Sequence, residues 1–263
     1  VNELHLFAGA GGGILAGQLL GDRCIGAVEI DSYAQSILIA RQEDGTLWPF
    51  PVFSDIRTFD ARPFMGRADV VSGGFPCQDI SSAGKRAGIG GARSGLWREF
   101  VRVVREVEPV YVRVENSPNI TSLGLGNVLG DLAALGFDAR WDVLSASDLG
   151  AHHLRERFWL VATHADRQRQ QQQAEAGNEV GIWSEDGNRH ASDSDNNRAE
   201  RRQQQQARHS ETRRTAYPSW PSESGLVRMV HGVPNRLDRI RCLGNAQVPR
   251  VAATAWRILT EPA

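Results

Sequence analysis

Short apolar runs alternate with amphipathic stretches over the first 163 residues, and most of the runs close on a turn signal or a helix cap. Leu4–Phe7 runs into Gly9, Gly11, Gly12 and Gly13, and Ile14–Leu20 follows as a helical stretch. Cys24–Ile30 predicts a second strand and Ser32–Arg41 a helix with Ser32 as its cap. Asp69–Ser72 predicts a third strand, ending in Gly73-Gly74. Leu96, Phe100, Val103, Val104 and Val107 recur at helical spacing, which predicts an amphipathic helix over Leu96–Val107. Val110–Val114 reads as a strand, Val128–Leu135 as a helix and Phe158–Ala162 as a last strand. Strands alternating with helices predict an α/β fold, a parallel sheet with helices on both faces. Ligands in such sheets bind beyond the carboxyl ends of the strands.

The pattern stops at His164. From there to Tyr217 the large apolar residues are Val180, Ile182, Trp183 and Tyr217, and two glutamine runs bracket an Asn/Asp/Ser-rich middle. Such a composition buries too little apolar surface to offset the entropy of ordering it, so this stretch is expected to be mostly disordered, with a small turn near Trp183. Order is expected to resume at Pro218, with Gln247–Leu259 as a closing helix. Three segments result: a catalytic and cofactor-binding domain at 1–163, a reduced low-complexity region at 164–217, and a returning segment at 218–263.

Residues 1–151 carry 13 basic and 18 acidic side chains and residues 152–263 carry 17 and 13, so the second part is the candidate for meeting a polyanion. The three cysteines, Cys24, Cys77 and Cys242, form no CxxC pair, which argues against a disulfide framework or a zinc site and for a reducing compartment. No apolar run reaches the roughly 18 residues of a membrane span. No secretory signal opens the chain.

Several strand ends carry candidate chemistry. The glycine turn after Phe7 allows close backbone approach to a ligand, and Glu29 lies about 20 residues on, where an acid can accept from ribose hydroxyls. Together they favour a nucleoside-bearing cofactor, against the reading of a tight structural turn and an ordinary helix-start acid. Cys77, in Gly73-Gly74-Phe75-Pro76-Cys77-Gln78, sits where a nucleophile would be exposed, whereas Cys24 and Cys242 are expected to be structural. Asp79 to Gly95 reads as a mobile basic lid carrying Lys85, Arg86 and Arg93. Glu115 ends a strand where a carboxyl of raised pKa can act as an acid. Arg155 and Arg157 flank Glu156 before the last strand.

These segments resemble the DNA cytosine-5 methyltransferase family. LHLFAGAGGG is similar to its cofactor loop, AVEID to its ribose-binding strand end, SDIR at 54–57 to its adenine segment and GGFPCQDIS to its Pro-Cys motif. RSGLW at 93–97, VENS, HHLRER at 152–157 and RIRCLGNAQVP follow in the family's order. The resemblance implies a Rossmann-like fold and transfer of a methyl group from S-adenosyl-L-methionine to carbon 5 of a cytosine flipped out of duplex DNA. Cys77 would add to carbon 6, Glu115 would protonate N3, and Arg155 would help hold the base and the activated intermediate, with Arg157 of the same motif as a further catalytic residue. Phe7, Gly9, Gly11, Glu29, Ile30, Asp55, Ile56, Pro76, Leu96, Asn245 and Ala246 would surround the cofactor. Gln78, Ser81, Lys85, Arg86 and Arg93 would meet DNA. No metal is implied.

The expected setting is a monomer in the cytoplasm of a bacterial or phage-infected cell, away from membranes, with a cognate restriction endonuclease as the companion such an enzyme can have. His5, Asp79, Ser117 and His153 depart from the family's usual Asp, Pro, Val and Gln. Residues 166–217 stand where the family reads its target sequence. An RNA cytosine methyltransferase and a catalytically impaired DNA- or cofactor-binding relative are the alternatives.

Overall fold

The computed structural model describes residues 1–76, 95–180 and 236–261. Its strands are β1 (Asn2–Leu6), β2 (Arg23–Val28), β3 (Val52–Phe53), β4 (Val70–Gly73), β5 (Tyr111–Asn116), β6 (Asp138–Leu144) and β7 (Arg157–Thr163). Its helices are α1 (Gly12–Leu19), α2 (Ser32–Glu43), α3 (Gly95–Val107), α4 (Ile120–Leu123), α5 (Leu125–Ala134), α6 (Ala165–Val180), α7 (Arg236–Asn245) and α8 (Pro249–Thr260). Residues 1–171 and 228–263 belong to one unit, and Gln172–Val227 to another. Among the described residues no helix is long and apolar enough to cross a membrane.

The strands form one sheet in the order β3-β2-β1-β4-β5-β7-β6. β1 to β5 pair in parallel, and β4 is buried along its whole length, as a central strand covered on both faces must be. On one face Leu4, Leu6, Val112 and Val114 pack against Trp97, Phe100 and Val104 of α3 and Val128 and Leu132 of α5. A second cluster joins Ile14 of α1, Leu38 of α2, Cys24 and Ala27. α8 packs on α1, β6 and β7. The strand order reverses about β1, whose neighbours are β2 and β4, and such a switch point opens a crevice above the carboxyl ends.

Several expectations need correction. The sheet is mixed, because β7 runs antiparallel to both β5 and β6. β6 is an edge strand that carries Asp138, Arg140 and Asp142, so it lacks the apolar run that marks a buried strand. The cap of α2 is Asp31, not Ser32: its Oδ1 accepts from the N–H groups of Tyr33 and Ala34, both at 3.0 Å. The closing helix starts at Pro249, whose fixed φ suits a first helical position, and α7 precedes it.

The stretch expected to be disordered begins instead as a helix, since α6 continues from β7. Glutamine is a competent helix former, and the first turns dock through polar bonds, not an apolar face. Gln168 donates to the Tyr111 hydroxyl at 2.9 Å and Arg167 pairs with Glu108 at 3.3 Å. The expected turn at Trp183 and the restart at Pro218 lie outside the described residues.

Candidate active site

Two cavities of about 460 Å³ each open at the carboxyl ends of the parallel strands, and Phe7, Ile30 and Pro76 form a wall common to both. The first is mainly apolar, with Val28, Ile56 and Leu96 lining it beside the carboxylates of Asp55 and Glu99. An apolar slot with acceptors at its edge suits a flat base bearing an amino group. The Asp55 carboxylate is engaged by Arg57, with Nη2 to Oδ2 at 2.7 Å, and this hydrogen bond holds its pKa below the ordinary value.

Gly9, Glu29, Glu115, Arg157 and Asn245 line the second cavity. The Glu29 carboxylate accepts from the N–H of Gly9 at 2.6 Å and of Asp31 at 2.8 Å, which ties the glycine loop to the end of β2. Phe7 and Gly9 have φ of 53° and 52°, so the chain turns sharply off β1. A Cβ on Gly9 would meet nothing within 4 Å, which leaves room for a ligand at that wall. The apolar slot, the ribose-competent acid and this open glycine fit a nucleoside-bearing cofactor. Gly11 caps α1 and packs against Leu38 and Leu47, so it shapes the turn from behind.

Glu115 stands at the end of β5, with its side chain buried. Arg157 Nε lies 3.0 Å from its Oε1. Burial dominates and pushes the Glu115 carboxyl up to about 7, against the opposing pull of Arg157, Arg155 and His5. The carboxyl fits there because residue 74 is glycine: a Cβ at that position would collide with Glu115 Oε2. Asn116 Nδ2 donates to the Phe75 carbonyl at 3.1 Å, which holds the end of β4 beside the end of β5.

Arg155 sits differently from the expectation that it would hold the base. Its Nη2 donates to the carbonyls of Gly244 at 2.8 Å and Ala246 at 2.5 Å, so it anchors the Gly-Asn segment. Ala246 therefore contributes a backbone acceptor to that anchor. Cys24 is buried as expected, and burial pushes its thiol up. Cys242, expected to be structural, lies half-buried on the wall of the second cavity. His5 is buried beneath the glycine loop, with Nδ1 2.6 Å from Ser72 Oγ, while Ser72 donates to Glu3 Oε1 at 2.5 Å. Burial pushes the Glu3 carboxyl up, but His5, Arg113 and Ser72 together hold it below the ordinary value.

Cys77, Gln78, Ser81, Lys85, Arg86 and Arg93 lie outside the described residues. Sequence reasoning missed Arg241, whose guanidinium pairs with Asp31 and closes α7 over the second cavity. It also missed Gln247, whose backbone a Cβ on Gly12 would strike.

Residues 1–253 match the C-5 cytosine-specific DNA methylase family. The chain belongs to that family. Members of the family use S-adenosyl-L-methionine as methyl donor. The methylase chain is 33% identical over 165 residues to the type II methyltransferase M.CviJI of Paramecium bursaria Chlorella virus IL3A, covering 62% of this chain and 43% of that protein. It is 31% identical over 170 residues to M.HhaI of Haemophilus parahaemolyticus, covering 62% and 49%. The matches thus span less than half the length of these two relatives. Among solved structures it is similar to a prophage-encoded DNA modification methyltransferase from E. coli, at 27% identity and a TM-score of 0.51 over 64% of this chain and 48% of that one. The S. pombe Dnmt2 methyltransferase, at 22% identity and a TM-score of 0.50 over 62% of this chain and 50% of that one, shares the fold of this methylase.

Proposed function

We propose that the chain is a DNA cytosine-5 methyltransferase. The observation that carries this reading is the buried Glu115 carboxyl, pushed up to about 7, in the same cavity as Pro76, the residue that directly precedes Cys77. An acid of that pKa is protonated in a useful fraction at neutral pH and can donate to N3 of a cytosine. Arg157 holds one carboxyl oxygen, and in this reading the other carries the proton. With N3 protonated the ring accepts the Cys77 thiolate at carbon 6, which makes carbon 5 nucleophilic. S-adenosyl-L-methionine, when bound, supplies the methyl group. Loss of the carbon 5 proton then restores the aromatic ring and expels Cys77.

In this reading Phe7, Ile30, Asp55, Ile56, Pro76 and Leu96 hold the adenine end of the cofactor, and Gly9, Glu29 and Asn245 hold the remainder. Gln78, Ser81, Lys85, Arg86 and Arg93 meet duplex DNA. The chemistry needs no metal. The chain acts as a monomer, and any cognate endonuclease works separately.

Transfer of labelled methyl groups to duplex DNA and to tRNA, in parallel with Cys77→Ala, tests the assignment. Label in DNA that is lost in the variant is expected, while calorimetry finds cofactor binding retained. Label in tRNA alone would favour an RNA enzyme, and turnover by the variant would overturn the nucleophile.

A further inference from the structure

The first cavity has two walls of different origin. The loop after β3 supplies Ser54, Asp55 and Ile56, and α3 supplies Gly95, Leu96 and Glu99. Among the described residues the loop has no ladder partner beyond Phe53, and its own backbone–backbone bonds are the two turn bonds from Thr58 N to Asp55 O and from Phe59 N to Ile56 O. Something other than secondary structure must set how far it stands from the helix.

Arg102, one turn along α3 from Glu99, spans that gap. Its Nη2 donates to the Ile56 carbonyl at 2.6 Å and its Nη1 to the Phe59 carbonyl at 3.1 Å. On the helix side Nε donates to Glu99 Oε2 at 2.7 Å, and Nη1 to the two Glu106 oxygens at 2.8 and 2.9 Å. Glu106 in turn accepts from the N–H of Ala61 at 3.1 Å, which fixes the far end of the same loop. The planar guanidinium makes these bonds in fixed relative directions, so loop and helix hold one separation; a lysine ammonium could reach one carbonyl but could not hold that geometry.

We propose that Arg102 is a positioning residue that sets the width of the adenine end of the cofactor cavity, tying the loop that forms one wall to the helix that forms the other. The proposal rests on the cofactor reading above and adds a residue that does not itself line the cavity. If Arg102 served stability alone, its loss would lower the melting temperature and leave cofactor affinity where it was. A width-setting role instead moves affinity, because a flat base between two walls loses its contacts on both sides when one wall drifts.

The test is titration calorimetry of the full chain with S-adenosylhomocysteine and with adenosine, beside thermal unfolding. For Arg102→Gln both ligands are expected to bind about 10- to 100-fold more weakly, the scale seen when a partner that orients a binding group is lost. Arg102→Lys should recover part of the loss. Leu132→Ala, a buried change on α5, should lower the melting temperature and leave both affinities at wild type. Steady-state kinetics should place the loss in the KM for the cofactor and not in kcat.

Wild-type affinity in Arg102→Gln would overturn the proposal, as would an equal loss in Leu132→Ala. If Arg102→Gln does not fold, Arg102→Lys and Glu106→Gln decide, and unchanged affinity in both would overturn it. Failure of the wild type to bind either ligand would sink the cofactor reading itself, and this inference with it. Binding by the wild type with no change in the variants would sink this inference alone.

Discussion

At the scale of single residues, the proposed chemistry rests on Glu115. Its carboxyl keeps a proton that an ordinary carboxyl would lose, because burial outweighs the neighbouring guanidinium groups. If Glu115 is the acid, the rate of methyl transfer falls as pH rises through about 7, and a single-turnover pH profile should contain that limb. Glu115→Gln should remove the limb and lower the rate by about 10²- to 10⁴-fold. Stability gives an independent sign. Between the ordinary carboxyl value of 4.5 and the folded value of about 7, the native state binds a proton that the unfolded chain has released. Native stability therefore declines as pH rises across that window. Glu115→Gln has nothing to titrate there, so its melting temperature relative to wild type should climb from pH 5 to pH 8. A flat difference would place the titrating group elsewhere. The position of Glu115 was legible in sequence because it ends an apolar strand. Which of Arg155 and Arg157 faces it was not, since that depends on where the chain before β7 turns.

At the scale of elements, α2 joins a local signal to a distant one. Asp31 caps the helix through Oδ1 and pairs with Arg241 through Oδ2. The two jobs separate by mutation. Asp31→Ala removes both and should cost about 0.5–3 kcal/mol, a cap worth about 0.5–2 plus an exposed ion pair worth about 0–1. Arg241→Ala leaves the cap intact, removes the pair with a longer contact to Asp238 at 3.7 Å, and should cost about 0–1 kcal/mol. Chemical denaturation would read both, and equal costs would mean that the cap contributes nothing. The helices with a clear apolar face, such as α3, were legible because periodicity reports burial directly. α6 was not, because its first turns are held by Gln168 and Arg167 bonding to Tyr111 and Glu108, contacts that leave no apolar period. β6 escaped for a related reason: an exposed edge strand has no need of apolar alternation on its outer face.

At the scale of the whole molecule, the C-terminal segment is part of the domain. Trp256 of α8 is buried, meets Trp159 of β7 edge to face at 6.3 Å and carries Arg113 over its ring at 5.0 Å. Trp256→Ala should cost about 3–5 kcal/mol of unfolding free energy, as large aromatic truncations in cores do. A loss below about 1 kcal/mol, the scale of a surface change, would mean that α8 only rests on the sheet. The amino-acid sequence by itself determined the parallel half of the sheet and the glycine turn. It also placed Glu29 and Glu115 at strand ends, because hydrophobic period and turn chemistry are local properties. Only the tertiary structure decided that β7 runs antiparallel to β5. That reversal pairs Asn116 with Phe158 and sets Arg157 at the edge where Glu115 stands; a parallel β7 would have carried it to the opposite edge. Strand direction depends on how residues 145–156 and the β6 edge return the chain to the sheet, and no local pattern in β7 encodes it.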